Sequence, residues 1–110
     1  MGGLRIYISG PMTGRPNLNK PAFFAAASGL RAAGHHPVNP VDVCAQIGAT
    51  EWTDCMRADI KALCDCDGIA LLPGWEMSQG AQLELHIAHR LGLLIGPVET
   101  YITRQQMGEP

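Results

Sequence analysis

Charge of one sign never accumulates in this chain. Eight Lys and Arg stand against ten Asp and Glu, the net charge is −2, and no basic run occurs. That argues against a protein that grips the phosphate backbone of a polymeric nucleic acid. Apolar runs are also short. None reaches the roughly 18–20 residues of a membrane span, so no membrane partner is expected. The opening Met1-Gly2-Gly3-Leu4-Arg5 lacks the charged-then-apolar layout of a signal peptide, and a cytoplasmic location is expected from that. There is no repeat, linker or low-complexity segment. Neither a G-x-G-x-x-G fingerprint nor a Gly-Lys-Ser/Thr phosphate loop occurs. Cysteine is sparse: Cys44, Cys55, Cys64 and Cys66. In a reducing compartment all four are expected as thiols. Cys64-Asp65-Cys66 lacks the second knuckle of a structural zinc site, so no metal and no cofactor is expected.

What the chain does have is core-forming material. It is 46% hydrophobic and 16% charged over 110 residues, which suits one domain spanning the whole chain, 1–110. Short β-type runs alternate with segments of helical period. Arg5–Ser9 reads as a first strand, ended by Gly10-Pro11. A helix starts at Asn19-Lys20-Pro21, with Asn19 as its cap, carries Phe23, Ala27 and Leu30 on one face, and stops at Gly34. His36–Asn39 reads as a second strand cut off by Pro40, with a loop through Gly48 after it. Glu51–Cys64 reads as a helix with Trp52, Met56, Ile60 and Leu63 on its apolar face. Gly68–Leu72 reads as a strand covered on both faces, Gly80–Leu91 as a third helix, and 93–95 as a fourth strand. The polar tail from Glu99 is expected to be partly helical or frayed. This order predicts an α/β, small Rossmann- or flavodoxin-like fold: a parallel sheet of about four strands with helices on both faces. Ligands in such folds bind beyond the C-terminal strand ends where the strand order reverses. Three loops qualify: Ser9–Gly14, Asn39–Asp42 and Pro73–Gly80.

Two acids fall on the wrong faces of their helices. At 100° per residue, Glu84 sits in the middle of the face made by Ala81, Ile87, Ala88 and Leu91. Asp59 lies at the border of the Trp52, Met56, Ile60 face. A carboxylate among core positions is costly unless it is hydrogen-bonded or faces a cavity. Either acid could serve a neighbouring backbone group, but two of them beside glycine-bearing loops point to a reactive site. In the first loop, Ser9, Gly10, Pro11, Met12, Thr13 and Gly14 can bring backbone N–H groups and hydroxyls to an anion or a sugar. In the third, Ser78 reads as a helix cap and Gly80 permits close ligand approach. Trp75 could stack on a base or line the rim of the core. His35, His36, His86 and His89 read as surface residues.

Ile6-Tyr7-Ile8-Ser9-Gly10-Pro11, Asn39-Pro40, the 66–73 strand and Ser78-x-Gly80-Ala81-x-x-Glu84-x-x-x-Ala88 together resemble the nucleoside 2-deoxyribosyltransferase superfamily. That superfamily includes the deoxynucleoside 5′-monophosphate N-glycosidases and a branch of small phage and bacterial proteins. The resemblance covers roughly residues 4–96, and the Ser-x-Gly-x-x-x-Glu element is its most specific part. It implies a glutamate nucleophile at Glu84 that attacks C1′ of a (deoxy)nucleoside or nucleotide. It implies an aspartate at Asp59 that handles protons at the base, and a tyrosine at Tyr7 that orients the nucleophile. It also implies that the loop Ser9–Gly14, with Ser78 and Gly80, holds the 5′ end of the nucleotide, and that the protein is a homodimer or larger homo-oligomer; Asn39 and Trp75 complete the candidate substrate-binding set. Phosphate-binding members carry a serine and an arginine where this chain has Pro11 and Thr13, which implies a weaker hold on a 5′-phosphate. The alternatives are a non-catalytic module that binds or senses a nucleotide-derived ligand on the same fold, and a scaffold in which both acids are structural.

Overall fold

The computed structural model describes residues 3–48 and 50–107, with side chains as far as Ile102. Met1, Gly2 and the last three residues of the predicted polar tail lie outside the described residues. Four strands, β1 (Arg5–Ser9), β2 (His36–Val38), β3 (Gly68–Leu71) and β4 (Leu94–Pro97), pair in parallel in the order β2-β1-β3-β4. Five α-helices accompany them: α1 (Lys20–Ala32), α2 (Pro40–Ile47), α3 (Trp52–Cys64), α4 (Gln79–Arg90) and α5 (Val98–Met107). The predicted α/β class and strand number hold. The tail, expected to be partly helical or frayed, begins as α5.

β1 is central, and its side chains alternate between two cores, as the period of two requires. Ile6 and Ile8 join Phe23, Leu30 and Tyr101 on the α1 and α5 side. Tyr7 joins Leu63, Ile69 and Ala88 on the α3 and α4 side. The next residue on that second face is Ser9, which is fully buried. The Leu72 amide donates to the Ser9 carbonyl at 2.8 Å, and a Cβ on Gly10 would meet the Leu72 side chain at 2.7 Å. Only glycine lets the chain leave the sheet at that point. The strand order reverses between β1 and β3, which is where the rule for open sheets puts a ligand.

Several expectations are corrected. The stretch after Pro40 is not a loop but α2. Proline at the first helical position costs no hydrogen bond, and Asn39 Oδ1 accepts the Val41 amide at 3.0 Å as the cap. That cap uses the oxygen of Asn39 alone; its Nδ2 is buried with no partner among the described residues. Asn19 does not cap α1 with its side chain. It adopts φ 60°, after Asn17 at 53° and Leu18 at 54°, and its Nδ2 donates to the Pro11 carbonyl at 2.8 Å. Three successive left-handed residues other than glycine are uncommon. Cys44 and Cys55 are not thiols but a disulfide joining α2 to α3, with Cα atoms 5.2 Å apart. Cys64 and Cys66 are free. His35 is half-buried rather than superficial. Its Nδ1 accepts the Leu4 amide at 3.2 Å, and its ring stands edge-on to Tyr101. Trp52 and Leu91, placed on apolar faces, are 53% and 54% exposed.

Replacing the cap tests this account of α2. Asn39→Ala is expected to lower unfolding stability by about 1 kcal/mol, and Asn39→Ser to restore most of it. Urea denaturation of the three proteins checks the order.

Candidate functional site

The site is built on β1. Tyr7 and Ser9, two residues apart, point to the same face, and α4 lies across that face with Glu84 turned inward. The Tyr7 hydroxyl donates to Glu84 Oε2 at 2.7 Å, and the Ser9 hydroxyl donates to Oε1 at 2.6 Å. Ser78 Oγ accepts the Ala81 amide at 3.1 Å and fixes the start of α4. Asp59 approaches from α3. It is 7% exposed, against 5% for Glu84, and its Oδ1 is buried with no hydrogen-bond partner among the described residues. The two acids therefore converge, as their helical phases predicted.

Burial dominates the electrostatics. It pushes Glu84 up to about 7, against the opposing hydrogen bonds from Ser9 and Tyr7. It pushes Asp59 up to about 7 as well. There the charge of Glu84 adds to the rise and the Tyr7 hydroxyl opposes it. Tyr7 is raised well above its ordinary value, first by burial and then by the two acids, so it stays protonated and donating. No cation is among the groups acting on either acid. A buried acid pair without a cation holds a proton near neutrality. Both donated hydrogen bonds favour the charged form of Glu84. The charge of Glu84 is in turn among the causes that raise Asp59.

Both acids open onto a cavity of about 850 Å³, the size of a small-molecule site. Gly10, Pro11, Met12 and Thr13 line it, as do Ser78 and Gly80. Tyr7 and Ser9 do not line it; they stand behind the Glu84 carboxylate. Gly14 forms a turn at φ 81° beyond the lining, and Asn39 caps α2. Trp75 packs against the core beside Leu71 instead of facing the cavity. The indole that does line it is Trp52, with Met56 and the largely exposed Met77. Two cations line it as well, Arg15 and Lys20. A Cβ on Gly74, at φ 88°, would collide with the Arg15 guanidinium. The one signal for Arg15 in the sequence was its nearness to the first loop.

A family profile, "Domain of unknown function (DUF4406)", matches residues 4–96. The chain belongs to the DUF4406 family. The span that defines this DUF4406 domain contains both acids, Tyr7, Ser9 and every cavity residue named above. No curated protein matches the chain. Among the described residues of the DUF4406 chain, no group of His, Cys, Asp or Glu is arranged to hold a metal ion.

The raised acids make stability depend on pH. Each binds its proton more tightly folded than unfolded, so the stabilisation is complete below the ordinary values of 4.5 and 3.8. It is lost as pH rises through about 7. Between pH 5 and pH 8 the protein is expected to lose on the order of 1–3 kcal/mol through Glu84. In Glu84→Gln, which has no proton to lose, the decline is expected to be visibly shallower. Urea midpoints at the two pH values check it.

Proposed function

We propose that this protein cleaves or transfers the N-glycosidic bond of a (deoxy)nucleoside or nucleotide, with Glu84 as nucleophile and Asp59 as proton donor. The observation that carries the reading is the pair itself: two buried acids sharing one cavity, with no cation acting on either among the described residues, one doubly hydrogen-bonded and the other with a bare oxygen. Such a pair suits a reaction that needs one charged and one protonated carboxyl at the same pH.

The ionised Glu84 oxygen attacks C1′ of the sugar, and the C1′–N bond breaks with its electrons going to the base. Asp59 gives its proton to the departing base. The developing positive charge on the sugar meets the Glu84 carboxylate, which then holds the sugar as an ester. Water, or the nitrogen of a second base, attacks C1′, Asp59 takes up the displaced proton, and Glu84 leaves as carboxylate. Tyr7 donates to Glu84 throughout and keeps it aimed.

The cavity wall supports the substrate class. Trp52 offers an aromatic face for a base, with Met56 and Met77 beside it. Arg15 and Lys20 supply the positive charge that Thr13 cannot, so a 5′-monophosphate suits the site despite the replaced loop arginine. Resemblance to the deoxyribosyltransferase superfamily points the same way.

Incubation with the deoxynucleosides and their 5′-monophosphates, followed by chromatography of the free base, tests the reading. Base release is expected with at least one of them. Glu84→Ala should lower its rate by on the order of a thousandfold or more, and Asp59→Asn by about a hundredfold or more. Arg15→Ala is expected to raise KM for the monophosphate by about tenfold, with little change for the nucleoside. Thermal stabilisation by a ligand with no base released, equal in Glu84→Gln, would replace catalysis by a binding role.

A further inference from the structure

Ser9 stands outside the mechanism above, yet its placement is the most constrained in the site. It is fully buried, does not line the cavity, and ends the central strand. Its backbone is pinned to β3 and the residue after it, by the pairing Ser9↔Leu71 and by the Leu72 amide on its carbonyl. Its hydroxyl reaches one group, Glu84 Oε1, at 2.6 Å. A hydroxyl at a position flanked by Ile8 and opposite Leu71 is a poor core residue unless its hydrogen bond matters.

We infer that Ser9 is a positioning residue: its hydroxyl holds Glu84 in the ionised, aimed form by occupying Oε1 while Tyr7 occupies Oε2. The claim rests on Glu84 as the nucleophile of the proposed reaction. The two hydroxyls hold different oxygens, so the carboxylate plane is fixed at two points and cannot rotate about its last bond. Ser9 has no charge of its own and no exposure to solvent. Its contribution is therefore insensitive to salt, unlike that of a surface cation.

The groups facing Glu84 decide its ionisation. β1 supplies Tyr7 and Ser9, and α3 supplies Asp59. β3, also packed on α4, supplies only Gly68–Leu71, which do not titrate. β4 supplies Leu94–Pro97, which likewise do not titrate. The short helical turn Trp75–Met77 before α4 adds Glu76, which is exposed. Arg15, Lys20 and Glu51 face the same cavity from its walls. Removing the Ser9 hydroxyl leaves Tyr7 as the one remaining donor against burial, so ionisation of Glu84 must become harder.

The test is the titration of Glu84 in the ligand-free protein, followed by carbon NMR of side-chain carboxyls and assigned by its disappearance in Glu84→Gln. In Ser9→Ala the midpoint is expected to move up by about one pH unit, a tenfold change in the ionisation ratio. Ser9→Thr, which keeps the hydroxyl, should bring it back. In the base-release assay the acid limb of the kcat profile should move with it. Ser9→Ala is then about tenfold slow at low pH and recovers at high pH, with KM little changed. A midpoint that stays put in a folded Ser9→Ala protein overturns the inference, because a serine that merely fills space predicts that result. A midpoint that moves while the parent releases no base from any substrate supports the hold of Ser9 on Glu84 and removes the N-glycosidase reading instead. Circular dichroism and thermal melts of each variant establish that it is folded.

Discussion

Two carboxyl groups are buried in this small protein with no cation acting on either among the described residues, and the rest of the structure accommodates that cost. Burying one ionised carboxylate unaided is prohibitive, and real groups answer by keeping a proton or by collecting hydrogen bonds. Here both answers are used. Glu84 collects hydroxyls from Tyr7 and Ser9, and Asp59, with an oxygen left bare, has its proton held more tightly by burial. The asymmetry between neighbours of the same chemistry arises from Ser9, whose hydroxyl reaches Glu84.

That asymmetry depends on β1 being central. A central parallel strand is covered on both faces, so its alternation sorts side chains between two cores rather than between core and water. Ile6 and Ile8 go to one core, Tyr7 and Ser9 to the other. The polar members of the strand arrive together, at its C-terminal end, under the helix that carries Glu84. The glycine that follows lets the chain turn away at once and leaves the strand end open to the cavity. Site and fold share the same few residues, so the cavity floor inherits the rigidity of the sheet.

Much of this was legible in the residues. The alternation of strand and helix signals gave the sheet, and helical phase alone brought Asp59 and Glu84 inward, because 100° per residue is a strong constraint over three turns. The departures have physical causes. Pro40 was read as the end of a strand when it is also the best first residue of a helix, so α2 and the capping role of Asn39 were missed. Trp75 and Trp52 exchanged places because a half-buried indole reads the same in a core as on a rim. Arg15 escaped because its reach depends on the bare Cα of Gly74, a contact between residues 59 positions apart. Cys44 and Cys55 sit in separate helices, and their meeting follows from α2 existing at all.

That last pairing has a consequence for the cavity. α2 and α3 both contribute to its wall, through Val41 and Ala45 on one and Met56 and Asp59 on the other, and the Cys44–Cys55 bond ties them covalently. A wall stapled in this way is already in place when a guest arrives, so less freedom is surrendered on association. Cutting the staple with a thiol reductant would leave Glu84 and its two hydroxyls on the sheet side in place while loosening the side that carries Asp59.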